Sequence, residues 1–312
     1  MLRSRAMRVL VTGGAGFIGG HSCRMLRERG HEVAAIDDLS SGRSENVPEG
    51  VALHVLDARG AMLVALLERF RPEAVLHLAA QMDVRRSVAE PLFDASVNVL
   101  GTLNALDASR RAGVRRFVLA SSGGAIYGEQ ETFPAAESHP RRPASPYGVS
   151  KLCAEEYCEH YARAHGISAL LLRYANVYGP AQNPHGEAGV VAIFLHRMLA
   201  GQAPIINGDG EQTRDYIHVD DVARMNCDAV ESTVSGALNV GTGRETSVND
   251  LAKMLAGAAG WTQPIAHGPE KPGEQRRSVV DARAAKAKLG WEPRIPLENG
   301  LAQTAEWFRA HR

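Results

Sequence analysis

The chain has 312 residues, enough to bury a large core and long enough to expect a main unit with a smaller companion. Its 35 basic and 35 acidic residues cancel, and no run of five or more like charges occurs. That removes the electrostatic case for nucleic acid or an anionic membrane as partner.

No apolar run approaches the roughly 20 residues of a membrane span. Met1 to Ala6 reads as a loose basic leader, too short and too polar for a secretion signal. A soluble, cytoplasmic protein is expected. Cys23, Cys153, Cys158 and Cys227 stand apart, and the 12 histidines show no HExxH or paired-ligand spacing, so no metal is expected.

In chain order, Arg8 to Thr12 reads as a strand and Phe17 to Arg29 as a helix closed by Gly30. The strand signature returns at Val33 to Asp37, Val51 to Leu56, Ala74 to Ala80, Arg116 to Ala120 and Ser168 to Tyr174. Helical patterns lie between, including Leu92 to Ala112 and Tyr147 to Ala164. Strands separated by helices predict an α/β fold, a doubly wound parallel sheet of Rossmann type over residues 1–175. Beyond it, Val190 to Leu199 and Leu297 to Ala310 read as helices, and the stretch from Arg214 as a short strand leading into a helix. "LNVGTG" and "LGWEP" read as punctuation. Residues 176–312 are expected to form a smaller mixed lobe, with some segments crossing between the two.

Gly13, Gly16 and Gly19 follow the first strand at G-x-x-G-x-x-G spacing. Such a turn lets the backbone approach a pyrophosphate, and the next helix N-terminus favours its charge. Asp37 and Asp38 end the second strand, where a carboxylate accepts hydrogen bonds from the adenosine ribose. An acid there repels a 2′-phosphate, so NAD is expected over NADP. Asp57, ending the third strand, meets the adenine amino group or caps the next helix.

Tyr147 and Lys151 stand four residues apart, on one helix face. A free tyrosine titrates near 10. A neighbouring ammonium and a positive nicotinamide ring would favour its phenolate, making it a base for an alcohol proton.

With these features the chain resembles the UDP-hexose 4-epimerases of the extended short-chain dehydrogenase/reductase superfamily. The resemblance runs through "TGGAGFIG", "HLAAQMDVRRSV", "VNVLGTLNALDAS", "SSGGAIYGE", "YGVSK", "RYANVYGP", "GDGEQTRDYIHVDDVA", "NVGTG" and "PGEQRRSVVD". It implies inversion at C4 of a UDP-sugar: Tyr147 takes the O4 proton as hydride passes to a resident NAD, and the 4-keto sugar turns over and is reduced on its other face. The implied cofactor contacts are Gly13, Gly16, Phe17, Ile18 and Gly19, then Asp37, Asp38, Leu39, Asp57 and Ala58. Leu78, Ala79, Ala80, Asn98, Ser121, Tyr147, Lys151 and Tyr174 complete them. Asn98 would organise the active site, unless it is a helix cap or a satisfied interior amide. For substrate the resemblance implies Asn176, Val190, Val191, Arg214, Lys271 and Glu274, besides Ser122 and Tyr147. Arg214 would meet the diphosphate and Glu274 the uridine ribose. Lys271 stands where the family pattern usually has Arg. A homodimer built on Leu92–Ala112 and Tyr147–Ala164 is expected by the same analogy.

One feature departs from the pattern. The family's catalytic Ser or Thr stands five residues before the glycine that ends "SSGGAIYG"; here that position is Gly123. Ser122 is the nearest substitute, then Ser121, or a water, or Tyr147 alone. Ser122 qualifies only if the backbone turns after it, because neighbouring strand residues point to opposite faces. A 4,6-dehydratase would need acids where Gly124 and Ala125 stand. The same fold and cofactor would also serve a dehydrogenase that releases its NAD, a C4-epimerase of a UDP-uronic acid or UDP-N-acetylhexosamine, or a non-catalytic NAD-binding regulator.

Overall fold

A computed structural model describes residues 5–185, 189–270 and 275–311. Its centre is a seven-stranded parallel sheet. The first half supplies β1 (Arg8–Thr12), α1 (Phe17–Glu28), β2 (Glu32–Asp37), β3 (Ala52–Val55), α2 (Met62–Phe70) and β4 (Ala74–His77). There follow α3 (Val84–Ala89), α4 (Pro91–Ala95), α5 (Gly101–Arg111), β5 (Arg116–Ser122), the single turn α6 (Gly123–Ile126), α7 (Pro146–His165) and β6 (Ser168–Tyr174). Beyond these come β7 (Asn176–Tyr178), α8 (Val190–Leu199), β8 (Ile205–Asn207), β9 (Thr213–Arg214), β10 (Tyr216–His218), α9 (Val219–Glu231) and β11 (Gly236–Val240). The chain closes with β12 (Thr246–Ser247), α10 (Val248–Ala259), β13 (Ala266–Gly268), β14 (Arg277–Ser278), α11 (Arg283–Leu289) and α12 (Leu297–Ala310).

The sheet order is β11-β6-β5-β4-β1-β2-β3. Strand sequences such as RVLVT are apolar on both faces because both are covered. On one face Val9, Val11, Val118 and Leu172 meet Leu26 of α1 and Val222 of α9. On the other, Leu10, Phe117 and Leu119 meet Leu63 of α2, Leu106 of α5 and Ala154 of α7. Each such fully buried side chain contributes about 1.5–3 kcal/mol. A separate core lies under α8, α10 and α12, around Phe194, Leu251 and Leu301. No helix among the described residues is long and apolar enough to cross a membrane.

Several elements differ from the sequence expectation. The start of "LNVGTG" is the end of β11, which pairs in parallel with β6, so the sheet draws a strand from beyond residue 176. Strand β4 stops at His77 because the next amides, of Leu78 and Ala79, turn to the Thr12 hydroxyl at 3.2 and 3.1 Å. Strand β5 runs on to Ser122, paired with Tyr174. The helix expected over Leu92–Ala112 carries a π-helical turn, Ser96–Leu100, between α4 and α5. Helix α7 starts at Pro146, with Ser145 accepting from the Gly148 amide, and ends at Gly166, whose φ of 71° suits a residue without Cβ.

Candidate functional site

The loop after β1 is shaped by its glycines. Gly13 has φ of 68°, and a Cβ there would lie 2.7 Å from the Ala79 nitrogen; one on Gly19 would strike the Gly13 carbonyl. A Cβ on Gly16 would meet only that carbonyl, at 3.1 Å, so the outer side of the turn is open. Gly16 caps α1 without a side-chain acceptor, and Phe17 and Ile18 begin the helix. The leading N–H groups of a helix have no internal acceptor, so this turn is a cradle for an anion. The residues present therefore fit the pyrophosphate of a dinucleotide.

The two acids ending the β2 segment have different surroundings. Asp37 is buried, and its carboxylate accepts from the amides of Ala15 at 3.0 Å and Leu39 at 2.9 Å, tying the glycine turn to β2. Burial raises its pKa, and those hydrogen bonds oppose the shift. Asp38 is exposed and folds onto Ser40. Asp57 does not cap α2, whose N-cap is Ala61. It is clamped by the Arg59 guanidinium, which lowers its pKa, and it retains lone pairs for an outside donor. The carbonyl of the adjoining Ala58 accepts from Asn104.

Leu78, Ala79 and Ala80 are half-buried at the exit of β4, facing Gly13 across the opening of the sheet. Asn98 grips this segment from the π turn: its oxygen accepts from the Gln81 amide and its nitrogen donates to the Gln81 carbonyl, both at 2.9 Å. It is thus a satisfied interior amide whose contacts fix the β4 exit.

At the end of β5 the two serines part. Ser121 turns toward α7 and donates to the buried Glu155 at 2.6 Å. Arg173 pairs with the same carboxylate at 2.7 Å. The Ser121 hydroxyl is therefore committed away from the expected cofactor position. Ser122 is extended, with φ of −134°, and the chain turns into α6 directly after it. Its oxygen accepts from the Ala125 amide at 3.3 Å, and its hydroxyl is near enough to the Tyr147 phenol to favour the deprotonated form. A hydroxyl has the one donor and two lone pairs this needs. Gly123 cannot hold the missing group cheaply, because a Cβ there would lie 2.7 Å from Val280 Cγ1.

Tyr147 and Lys151 share a face of α7 as expected, with the Lys151 nitrogen 5.8 Å from the tyrosine ring centroid. The expected depression of the tyrosine pKa is not what the protein alone produces. Burial raises it first and the Asp94 carboxylate second, while the nearby Ser122 hydroxyl opposes them. Lys151 donates to the Ala120 carbonyl at 3.1 Å, and burial pulls its pKa down to about 8. Tyr174 is buried in the core and sends its hydroxyl to Asn226 at 2.6 Å, so its phenol is committed away from the expected nicotinamide position.

Beyond residue 175, Asn176 is exposed at the start of β7, and Arg214 on β9 lies in register with Ser278 of β14. Val191 is buried in the lobe core, so only its backbone could meet a ligand; Val190 is half-buried beside it in the first turn of α8. Lys271 and Glu274 lie outside the described residues.

Residues 9–241 match the model of the NAD dependent epimerase/dehydratase family. The chain belongs to that family. It is 46% identical to the UDP-glucose 4-epimerase of Mycolicibacterium smegmatis, over 97% of this chain and 99% of the relative. Its fold superposes on a crystal structure of the Thermotoga maritima UDP-glucose 4-epimerase with UDP-glucose, with a TM-score of 0.96 and 47% identity over 98% of this chain and 99% of that one. The Thermus thermophilus UDP-glucose 4-epimerase in complex with NAD gives a TM-score of 0.93 and 44% identity, over 98% of this chain and 100% of that one.

Within this epimerase-family site, sequence reasoning missed Asp94, Gln81 and Ser150, which form a buried polar cluster with Asn98. A signal was present: Asp94, Asn98 and Thr102 repeat every four residues, a polar stripe on a helix that faces the core.

Proposed function

We propose that the chain is an NAD-dependent UDP-hexose 4-epimerase, interconverting UDP-galactose and UDP-glucose. The observation that carries this reading is the Tyr147–Lys151 pair on one face of α7, with Ser122 at the adjoining end of β5, at the open end of a glycine-turn dinucleotide fold. Residues 1–175 hold the dinucleotide, and residues 176–312 supply most contacts to the nucleotide sugar. The Gly13–Gly19 turn holds the pyrophosphate, Asp37 and Asp38 the adenosine ribose, and Asp57 the adenine. Bound NAD supplies a reversible hydride acceptor. Tyr147 takes the proton of the C4 hydroxyl and returns it after the 4-keto sugar has turned over, so no atom is gained or lost. The protein raises the affinity of Tyr147 for that proton, so the deprotonated form needs positive charge from Lys151 and from the oxidised nicotinamide ring.

Ser122 donates to the C4 oxygen or to Tyr147 in the role the family gives to the residue at 123. Arg214 offers a planar fork to the diphosphate. Leu92, Leu100, Val149 and Tyr157 expose apolar surface on or beside α4, α5 and α7, which supports a homodimer through these helices. Purified protein given UDP-galactose, with no NAD added, is expected to form UDP-glucose. Failure to convert any UDP-hexose would overturn the proposal, and conversion only with stoichiometric added NAD would point to a dehydrogenase.

A further inference from the structure

Asp94 has no role in the chemistry described so far, yet it is fully buried. Its hydrogen-bond partners are neutral. One oxygen accepts from the side-chain nitrogens of Gln81 and Asn98, both at 2.9 Å, and the other from the Ser150 hydroxyl at 2.6 Å. A buried charge is costly unless it is paired or put to use. These partners are not arbitrary. Ser150 sits on α7 between Tyr147 and Lys151, whereas Gln81 and Asn98 fix the exit of β4. One carboxylate thus ties the helix bearing the proton-transfer pair to the loop lining the cofactor side of the cleft.

We propose that Asp94 is a positioning residue for this pair, a buried carboxylate that locks α7 to the β4 exit and serves as counter-charge to the Lys151 ammonium. The proposal rests on the assignment of Tyr147 and Lys151 as the proton-transfer pair. Lys151 is surrounded by groups from several elements. Asp94 of α4 favours its charged form against burial, as do Cys158 and Glu155 of its own helix to a lesser degree. His77 of β4 is held neutral by burial and by Lys151 itself, so it adds no competing charge. β5 contributes the Ala120 carbonyl. Asp94 is therefore an acidic group from another element that favours the ammonium and accepts from Ser150, the residue next to Lys151 on α7. The same charge disfavours the tyrosine phenolate directly, so its benefit must come through Lys151 and through geometry.

The test uses the NAD-bound enzyme and three variants. In Asp94→Asn the titration midpoint of Lys151, read by carbon NMR of its Cε, is expected to fall by roughly one pH unit. The alkaline limb of the kcat profile should move the same way, and the KM for UDP-galactose should hold. Ser150→Ala, which keeps the charge but cuts the tie to α7, is expected to lower kcat roughly tenfold with the Lys151 midpoint in place. An unmoved Lys151 midpoint in folded Asp94→Asn would overturn the proposal. Should Asp94→Asn not fold, an unchanged kcat in Ser150→Ala would overturn it instead. Tyr147→Phe separates the two levels: turnover surviving that change would sink the assignment of the base while leaving the Lys151 titration readable.

Discussion

Ser122 and Ser121 show how one peptide bond divides chemistry from support. Alternation along β5 sends Ser121 to the α7 face, where it satisfies Glu155 beside Arg173. Ser122 stays at the strand's open end because the chain turns after it. The absent side chain at 123 has a steric cause. Val280 fills that space, and a β-branched side chain has little rotamer freedom to yield. Ser122→Ala is therefore expected to lower kcat about ten- to hundredfold, the worth of one hydrogen bond to a developing charge, with little change in melting temperature. Ser121→Ala should do the reverse, costing about 1–2 kcal/mol of stability in urea unfolding with kcat nearly unchanged. Equal, negligible effects of both on kcat would return Ser122 to a purely structural part.

Among elements, α4, α5 and α7 carry two duties. Their inner faces, with the π turn between α4 and α5, hold Asp94, Asn98 and Lys151, while their outer surface leaves Leu92 86% and Val149 48% exposed. Light scattering of the purified protein is expected to give twice the chain mass, and Leu92→Asp with Val149→Asp should shift it to the single-chain mass. A single-chain mass for the unaltered protein would remove the dimer. These helices also mark the limits of sequence reading. Strong periodicity made β1, α8 and α12 legible to the residue, and Pro146 with Gly166 explains why α7 runs one residue further at each end than expected. The π turn at Ser96–Leu100 was not read from the pattern, which takes Leu92–Ala112 as one continuous helix. Strand β11 is short and ends in glycine punctuation; only its pairing with β6 identifies it. The glycine turn and the Tyr147–Lys151 pair were legible because their chemistry fixes residue type and spacing. The directions of Ser121, Tyr174 and Arg59 were not, because each depends on a partner distant in sequence or on local side-chain packing.

For the whole molecule, the order of the sheet decides where chemistry can occur. The connections run in opposite directions from β1 and β4, and at that switch point the turn after β1 and the exit of β4 open side by side. Open α/β sheets bind ligands there, beyond the carboxyl ends of their strands. The end of β5 and the first turn of α7 add the hydroxyl, phenol and ammonium to the same edge.

In the proposed reaction, hydride leaves C4 and returns to it within one closed site, and Tyr147 handles only the hydroxyl proton. Turnover of UDP-galactose deuterated at C4 separates this route from any that exchanges with water. The UDP-glucose formed should keep its deuterium at C4, with none passed to solvent; loss of the label to water, or release of a 4-keto sugar as the end product, would contradict the proposed route.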